Sequence, residues 1–119
     1  MIQKLTETIP MDKNGVFKLN TFHLYGGFNR KKSKYSEFIK SSVKLTRPNN
    51  NLKKKSKVKS ILIYTKKNVK KYDNSYINFK FNSSITLKKR LNTIGREIIG
   101  PGFFELKRKR FMSSFVLIL

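Results

Sequence analysis

The sequence predicts a mainly β fold: a small five- or six-stranded β-barrel with a protruding β-hairpin and short C-terminal helical turns. Three observations carry this. Short alternating apolar runs recur along the chain with turn signals between them, as in small barrels and sandwiches. The chain has no alanine, the best helix former, and is rich in β-branched and aromatic residues. At Tyr64–Phe79, four lysines precede an Asp73-Asn74 turn signal and a short alternating apolar run follows, which reads as a β-ribbon with a cationic first arm. Closure into a barrel would remove exposed edges. The heavy use of Lys and Asn also fits an AT-rich coding style, so that part of the bias is genomic.

The elements follow in order. Ile2–Pro10 reads as an edge strand. Asp12-Lys13-Asn14-Gly15 is a turn, in which Asp and Asn bond their own backbone and Gly supplies a positive φ. Val16–Tyr25 alternates with apolar residues on both faces, as a barrel strand does, and Gly26-Gly27 ends it. Phe28–Ser36 is a basic loop and Phe38–Leu45 a second strand. Arg47-Pro48-Asn49-Asn50-Asn51 is a second turn, since Pro48 cannot donate to a central ladder. Lys57–Thr65, with Val58, Ile61, Leu62 and Ile63, is the best buried strand. The hairpin excursion at about 66–79 comes next, then Ser84–Leu87 as a short strand. Gly100-Pro101-Gly102 breaks the chain before a C-terminal helical segment at about 102–119, where Phe103, Phe104, Leu106, Arg110, Phe111 and Phe115 have helical spacing. The length predicts a single domain over 1–119, with a core of limited size.

Charge bounds the function. The chain carries 28 Lys and Arg against 6 Asp and Glu, a formal charge of +22. Self-repulsion of that size favours expansion unless a polyanion is bound. The cations run the whole length, at Arg30–Lys34, Lys53–Lys59, Lys66–Lys71, Lys88–Arg90 and Lys107–Arg110. The domain itself is therefore the cationic object, and its partner must touch several of its sides. A solvated charge run is the usual fate of such lysines, but six acids cannot compensate them. Phosphate contact is the better reading for Arg30, Lys31, Lys32, Lys53, Lys54, Lys55, Lys66, Lys67, Lys70 and Lys71, and lysine reads charge rather than sequence. Of the aromatics, Phe17, Phe22 and Phe38 are assigned to the core, while Phe28 and Tyr72, at loop positions, are candidates for stacking on unpaired bases.

Catalysis has little to stand on. His23 is the single histidine; as a general base it would need a partner, and no carboxylate lies near it in sequence, so it reads as a strand residue half-buried beside Tyr25. The acids Glu7, Asp12, Glu37, Asp73, Glu97 and Glu105 are scattered singly, without the spacing of an acid–base dyad or a metal site. There is no cysteine, hence no thiolate site or disulfide, and no P-loop or dinucleotide fingerprint. No enzyme activity, metal or cofactor is expected. No apolar stretch approaches the ~20 residues of a membrane span. The N-terminus lacks a signal-peptide core and an Arg-rich leader, so the chain is expected to be used where it is made.

The order of these pieces resembles the universal large-subunit ribosomal protein fourteen family. Met1-Ile2-Gln3 with Thr6, Asp12-Lys13-Asn14-Gly15, and Gly26-Gly27 match its first third. Lys53-Lys54, Thr65-Lys66-Lys67, Val69, Asp73, Ser75, Ile77 and Phe79 match its central ribbon. Gly95, Ile98, Gly100-Pro101, Glu105-Leu106 and Phe111-Met112 match its last third. No one motif is specific; the order and spacing together are, and they cover nearly the whole chain. The resemblance implies a small β-barrel, binding to large-subunit rRNA, contacts with neighbouring large-subunit proteins, and a place at the subunit interface. There it implies a contact with small-subunit rRNA around Arg47-Pro48 and Arg96-Glu97, and docking of a ribosome silencing factor. This chain departs from the family at Tyr72-Asp73-Asn74-Ser75, where the family has Pro-Asp-Gly-Ser, and at Glu97, which stands where the family has a bridging arginine, with Arg96 one place earlier. AT-rich coding and the absence of a leader suggest a mitochondrial ribosome, with an apicoplast or an AT-rich bacterial symbiont as the alternatives. A free RNA-binding module or RNA chaperone, and an RNA-modifying enzyme relying on His23, are the competing functions.

Overall fold

The structure is a computed structural model and describes residues 1–27, 29, 31–89, 92–94, 98–103, 115, 117 and 118. Five strands close a barrel: β1 (Glu7–Pro10), β2 (Val16–Leu24), β3 (Phe38–Thr46), β4 (Lys57–Tyr64) and, after the ribbon, β7 (Ser83–Leu87). The ribbon pairs β5 (Val69–Lys70) with β6 (Tyr76–Ile77). A last pair, β8 (Pro101–Gly102) with β9 (Leu117–Ile118), is parallel. The barrel strands are antiparallel neighbours in sequence order, and the ring closes where β1 runs parallel to β7, with Ile9 opposite Ser83 and Pro10 opposite Ser84.

That closure overturns the expectation of an edge strand at the N-terminus: β1 is bonded on both sides. It also starts later than expected, at Glu7, because Ile2 pairs instead with Ser33 in an isolated bridge. No helix occurs among the described residues. The middle of the segment expected to turn helically, 104–114, lies outside them; its two ends are extended, in β8 and β9.

The barrel lumen is narrow and is filled by small side chains. Residues directly opposite in antiparallel strands share a face, so the registers place Thr21, Ser41, Val58, Ile39, Ser60, Thr86, Leu62 and Ser84 inside. All of these are buried. A chain without alanine supplies its small lumen positions as Ser and Thr. Apolar residues close the two ends: Ile2, Leu24, Ile39 and Leu62 at one, Val16, Leu19, Val43 and Val58 at the other. At the latter end Asp12 is buried, accepting a hydrogen bond from Thr86 Oγ1 at 2.7 Å, while Asn14 Nδ2 donates to the same Thr86 oxygen at 2.6 Å. Asp12 is therefore a plug as well as a turn residue.

The main apolar core lies outside the barrel wall. Ile61, Ile63, Ile85 and Leu87 form the outer face of β4 and β7, and Met11, Tyr64, Ile98, Phe103 and Phe115 cover them. Burial on both faces explains why β4 is the most continuously apolar strand.

Two aromatics expected in the core are outside it. Phe17 and Phe22 are exposed, and Phe38 is half-buried against the outer cluster. The cause is a pair of bulges in β2, between Val16 and Lys18 and between Thr21 and His23. Each extra residue switches the face that follows. The buried set of β2 is Val16, Leu19, Thr21 and Leu24, which no strict alternation could give. The second bulge also turns His23 out: it is exposed rather than half-buried, and meets Tyr25 edge-on at 4.9 Å.

Candidate nucleic-acid interface

The basic residues stand on turns held by backbone hydrogen bonds. Lys53, Lys54 and Lys55 form the β3–β4 turn and are exposed. Lys55 takes a left-handed φ of 68°, its N–H donates to Val43 O at 2.8 Å, and Ser56 Oγ donates to Lys53 O at 2.6 Å. Lys31 and Lys32 are exposed beside Ser33, whose N–H and carbonyl both bond Ile2 at 2.9 Å. Arg30 lies outside the described residues.

The ribbon carries the next group. Lys66 and Lys67 are exposed where the chain leaves β4, and Lys66 N–H donates to Asn82 Oδ1 at 3.0 Å, tying the two feet of the ribbon together. In the ribbon, Val69 opposes Ile77 on the body side and Lys70 opposes Tyr76 on the outer side. The tip is a turn of defined shape. Asn74 has φ 66°, Lys71 N–H donates to Ser75 O at 2.8 Å, and Asp73 Oδ1 accepts from Ser75 N–H and Oγ–H at 3.1 and 2.6 Å. Those donors hold the Asp73 carboxyl below its ordinary range, the Ser75 hydroxyl contributing most. Tyr72 is 92% exposed on this tip, and Tyr76 beside Lys70 is 65% exposed. Lys71 is placed differently from the other three ribbon lysines. It is half-buried, with its ammonium 4.5 Å from the centre of the Phe103 ring.

Two of the acids hold partners of their own. Glu7 takes Lys44 in a hydrogen-bonded ion pair, with Lys18 at 4.0 Å, and the Lys44 bond holds its carboxyl low. Glu37 accepts from the Lys34 N–H at 2.8 Å. Among the described residues no group of three or more His, Cys, Asp or Glu is placed to hold a metal ion.

On another side, Arg47 and Pro48 are exposed, with the Arg47 guanidinium 5.9 Å from the Phe17 ring centre. They line a depression of about 400 Å³ together with Lys13 and Asn49–Asn51. Arg96, Glu97 and the aromatic Phe28 lie outside the described residues. Lys34, the end of the basic run Arg30–Lys34, and Tyr35 face the ribbon across a cleft, which the sequence alone does not single out as a site. The interleaving of Lys and Tyr at 34–35 is its local signal; the convergence with the ribbon has none.

A model of the ribosomal protein L14p/L23e family matches residues 1–117. The chain belongs to this family. The large ribosomal subunit protein uL14m of Tetrahymena pyriformis is 50% identical to it over 115 residues, 97% of each chain. The family expected from residue order, large-subunit ribosomal protein fourteen, is thus the family found, and the L14p/L23e barrel is the body on which the basic turns and ribbon stand. A structural role in the ribosome accounts for the charge without calling on catalysis.

Proposed function

We propose that this chain is a structural constituent of the large subunit of the mitochondrial ribosome, binding large-subunit rRNA through its basic turns and ribbon. The observation that carries the reading is the placement of charge. Lys31, Lys32, Lys53–Lys55, Lys66, Lys67 and Lys70 are exposed on hydrogen-bonded turns and on the ribbon's first arm. Lysines so presented bind phosphate and release counterions. The family and the 50% identical uL14m support the compartment and the subunit. Lys71 adds a ribbon charge that also braces Phe103.

The side bearing Arg47 and Pro48 is assigned to the subunit interface, with Arg96 rather than Glu97 meeting small-subunit rRNA, because a carboxylate against phosphate is unfavourable. Neighbouring large-subunit proteins and a silencing factor are the further partners of this reading. Sedimentation of the endogenous protein, followed by ultraviolet cross-linking, tests it. The protein is expected only in large-subunit and whole-ribosome fractions, cross-linked to large-subunit rRNA. A soluble pool free of those particles would instead identify an RNA chaperone.

A further inference from the structure

A cleft of about 310 Å³ opens between the N-terminal residues, the loop before β3 and the foot of the ribbon. Its size suits one nucleotide rather than a helix, since small-ligand sites start near ~300 Å³. Its lining combines two chemistries. Lys34, Lys67 and Lys70 supply cations, and Tyr35 and Val69 supply apolar wall, with the Asn68 amide between them. Tyr35 is half-buried and rests on Phe103, ring centres 5.2 Å apart, so the ring is braced from behind.

All three walls are fixed to the barrel. Ile2 and Ser33 exchange two backbone hydrogen bonds of 2.9 Å, and Ser36 N–H donates to Leu62 O at 2.6 Å. Thr65 Oγ1 donates to Lys67 O at 3.3 Å, and Lys66 N–H is held by Asn82. A site already shaped before binding loses little on ordering its ligand. The Met1 α-amino group at the cleft's edge is held below its ordinary value, first by burial and then by the charges of Lys67 and Lys32.

We infer that this cleft takes a single unpaired nucleotide of rRNA, its base against Tyr35 and its phosphate among Lys34, Lys67 and Lys70. The inference rests on the RNA-binding reading above and adds a stacking site to it. Asn68 offers a donor and an acceptor to the base edge. Paired RNA keeps its bases stacked within the duplex and has none to offer to Tyr35.

The test compares the full chain on two RNA duplexes that differ only by one extrahelical 4-thiouridine, at matched salt. The bulged RNA is expected to bind about tenfold tighter, the scale of one base stacked on an aromatic ring. Irradiation should cross-link the thiouridine to residues 33–36 or 65–70. Tyr35→Leu should erase the preference and leave duplex binding unchanged; Tyr35→Phe should keep it. Equal affinity for the two RNAs, a preference indifferent to Tyr35→Leu, or a cross-link at the ribbon tip around Tyr72 would each overturn the inference while leaving RNA binding in place. Failure to bind either RNA at low salt would overturn the RNA-binding reading as well.

Discussion

Tyr64 and Phe79 stack face to face, ring centres 3.9 Å apart and planes 19° from parallel. Tyr64 ends β4 and Phe79 follows β6, so the stack joins the two feet of the ribbon. Both rings meet Phe103, at 6.0 and 5.8 Å. A two-stranded ribbon with only two residue pairs is not stable by itself. Its order comes from this aromatic joint. Phe79→Ala is expected to cost about 2 kcal/mol, below the range for a fully buried Phe because Phe79 is half-buried. The loss should be local. Amide exchange should quicken across 66–78 while β2, β3 and β4 keep their protection. Uniform loss across the barrel would show that the joint holds the whole fold.

The lumen hydroxyls give a prediction of opposite sign. Thr21 Oγ1, Ser41 Oγ and Ser60 Oγ are buried without a hydrogen-bond partner. A buried, unsatisfied hydroxyl costs about 1–3 kcal/mol. Thr21→Val keeps the shape and removes that cost, so thermal unfolding should move up by the equivalent of about 1 kcal/mol. Ser60→Ala should act in the same direction. A fall in stability for both would mean that the hydroxyls are satisfied in solution.

Much of this fold was legible in the sequence. Positive φ at Gly15 (82°), Asn49 (60°) and Asn74 (66°) falls in the three turns expected there, because those residues enter the left-handed region at small cost. Val58, Ile61, Leu62 and Ile63 mark β4 because a doubly covered strand tolerates no polar face at its end. What was not legible depends on contacts distant in sequence. The parallel pairing of Ile9 with Ser83 closes the barrel, and no local pattern announces it. The bulges that expose Phe17 and Phe22 appear only in the register of β2 against β3, and no turn residue marks them in β2. Exposure of Lys53–Lys55, Lys66, Lys67 and Lys70 was expected from their charge, whereas half-burial of Lys71 over Phe103, and the cleft at Tyr35 where three segments converge, have no one-dimensional signature.

The ribbon lysines should differ in their salt dependence. Replacing Lys66 or Lys67 with Gln should reduce the log–log salt slope of RNA binding by roughly 0.7–0.9 for each phosphate no longer neutralised, across unrelated RNAs. Lys71→Gln should change the slope less and stability more, since its ammonium lies over Phe103; the expected loss is about 0.5–1 kcal/mol. Equal slopes for the two classes would show that Lys71 leaves the ring and joins the phosphates.

Acid should loosen the ribbon tip. The Asp73 carboxyl is held low by the Ser75 hydroxyl and N–H, so its contribution is fully present at neutral pH. It is lost as pH falls below about 4, through the lowered folded value, because protonation removes the acceptor charge. Exchange of the Ser75 amide should rise there in the native chain. In Asp73→Ala it should be fast already at pH 6. An unchanged Ser75 amide at low pH would assign the tip's order to the backbone bonds alone.

The C-terminal segment is fastened at one glycine. A Cβ built on Gly102 would stand 2.7–2.8 Å from three ring carbons of Phe115, closer than side chains approach. Phe115 is buried in the same cluster as Phe103, Met11 and Ile98, so its ring has no space to retreat into. Gly102 also pairs with Ile118, and displacing the ring would pull that pairing apart. Gly102→Ala should therefore destabilise the chain by about 1–3 kcal/mol, the usual cost of overpacking. A smaller ring-site side chain should relieve it. Phe115→Leu alone costs stability by leaving a void, yet combined with Gly102→Ala it should cost less than the sum of the two. Strict additivity in that double-mutant cycle, read by denaturant unfolding, would mean that Phe115 does not sit on Gly102 and that the segment is held elsewhere.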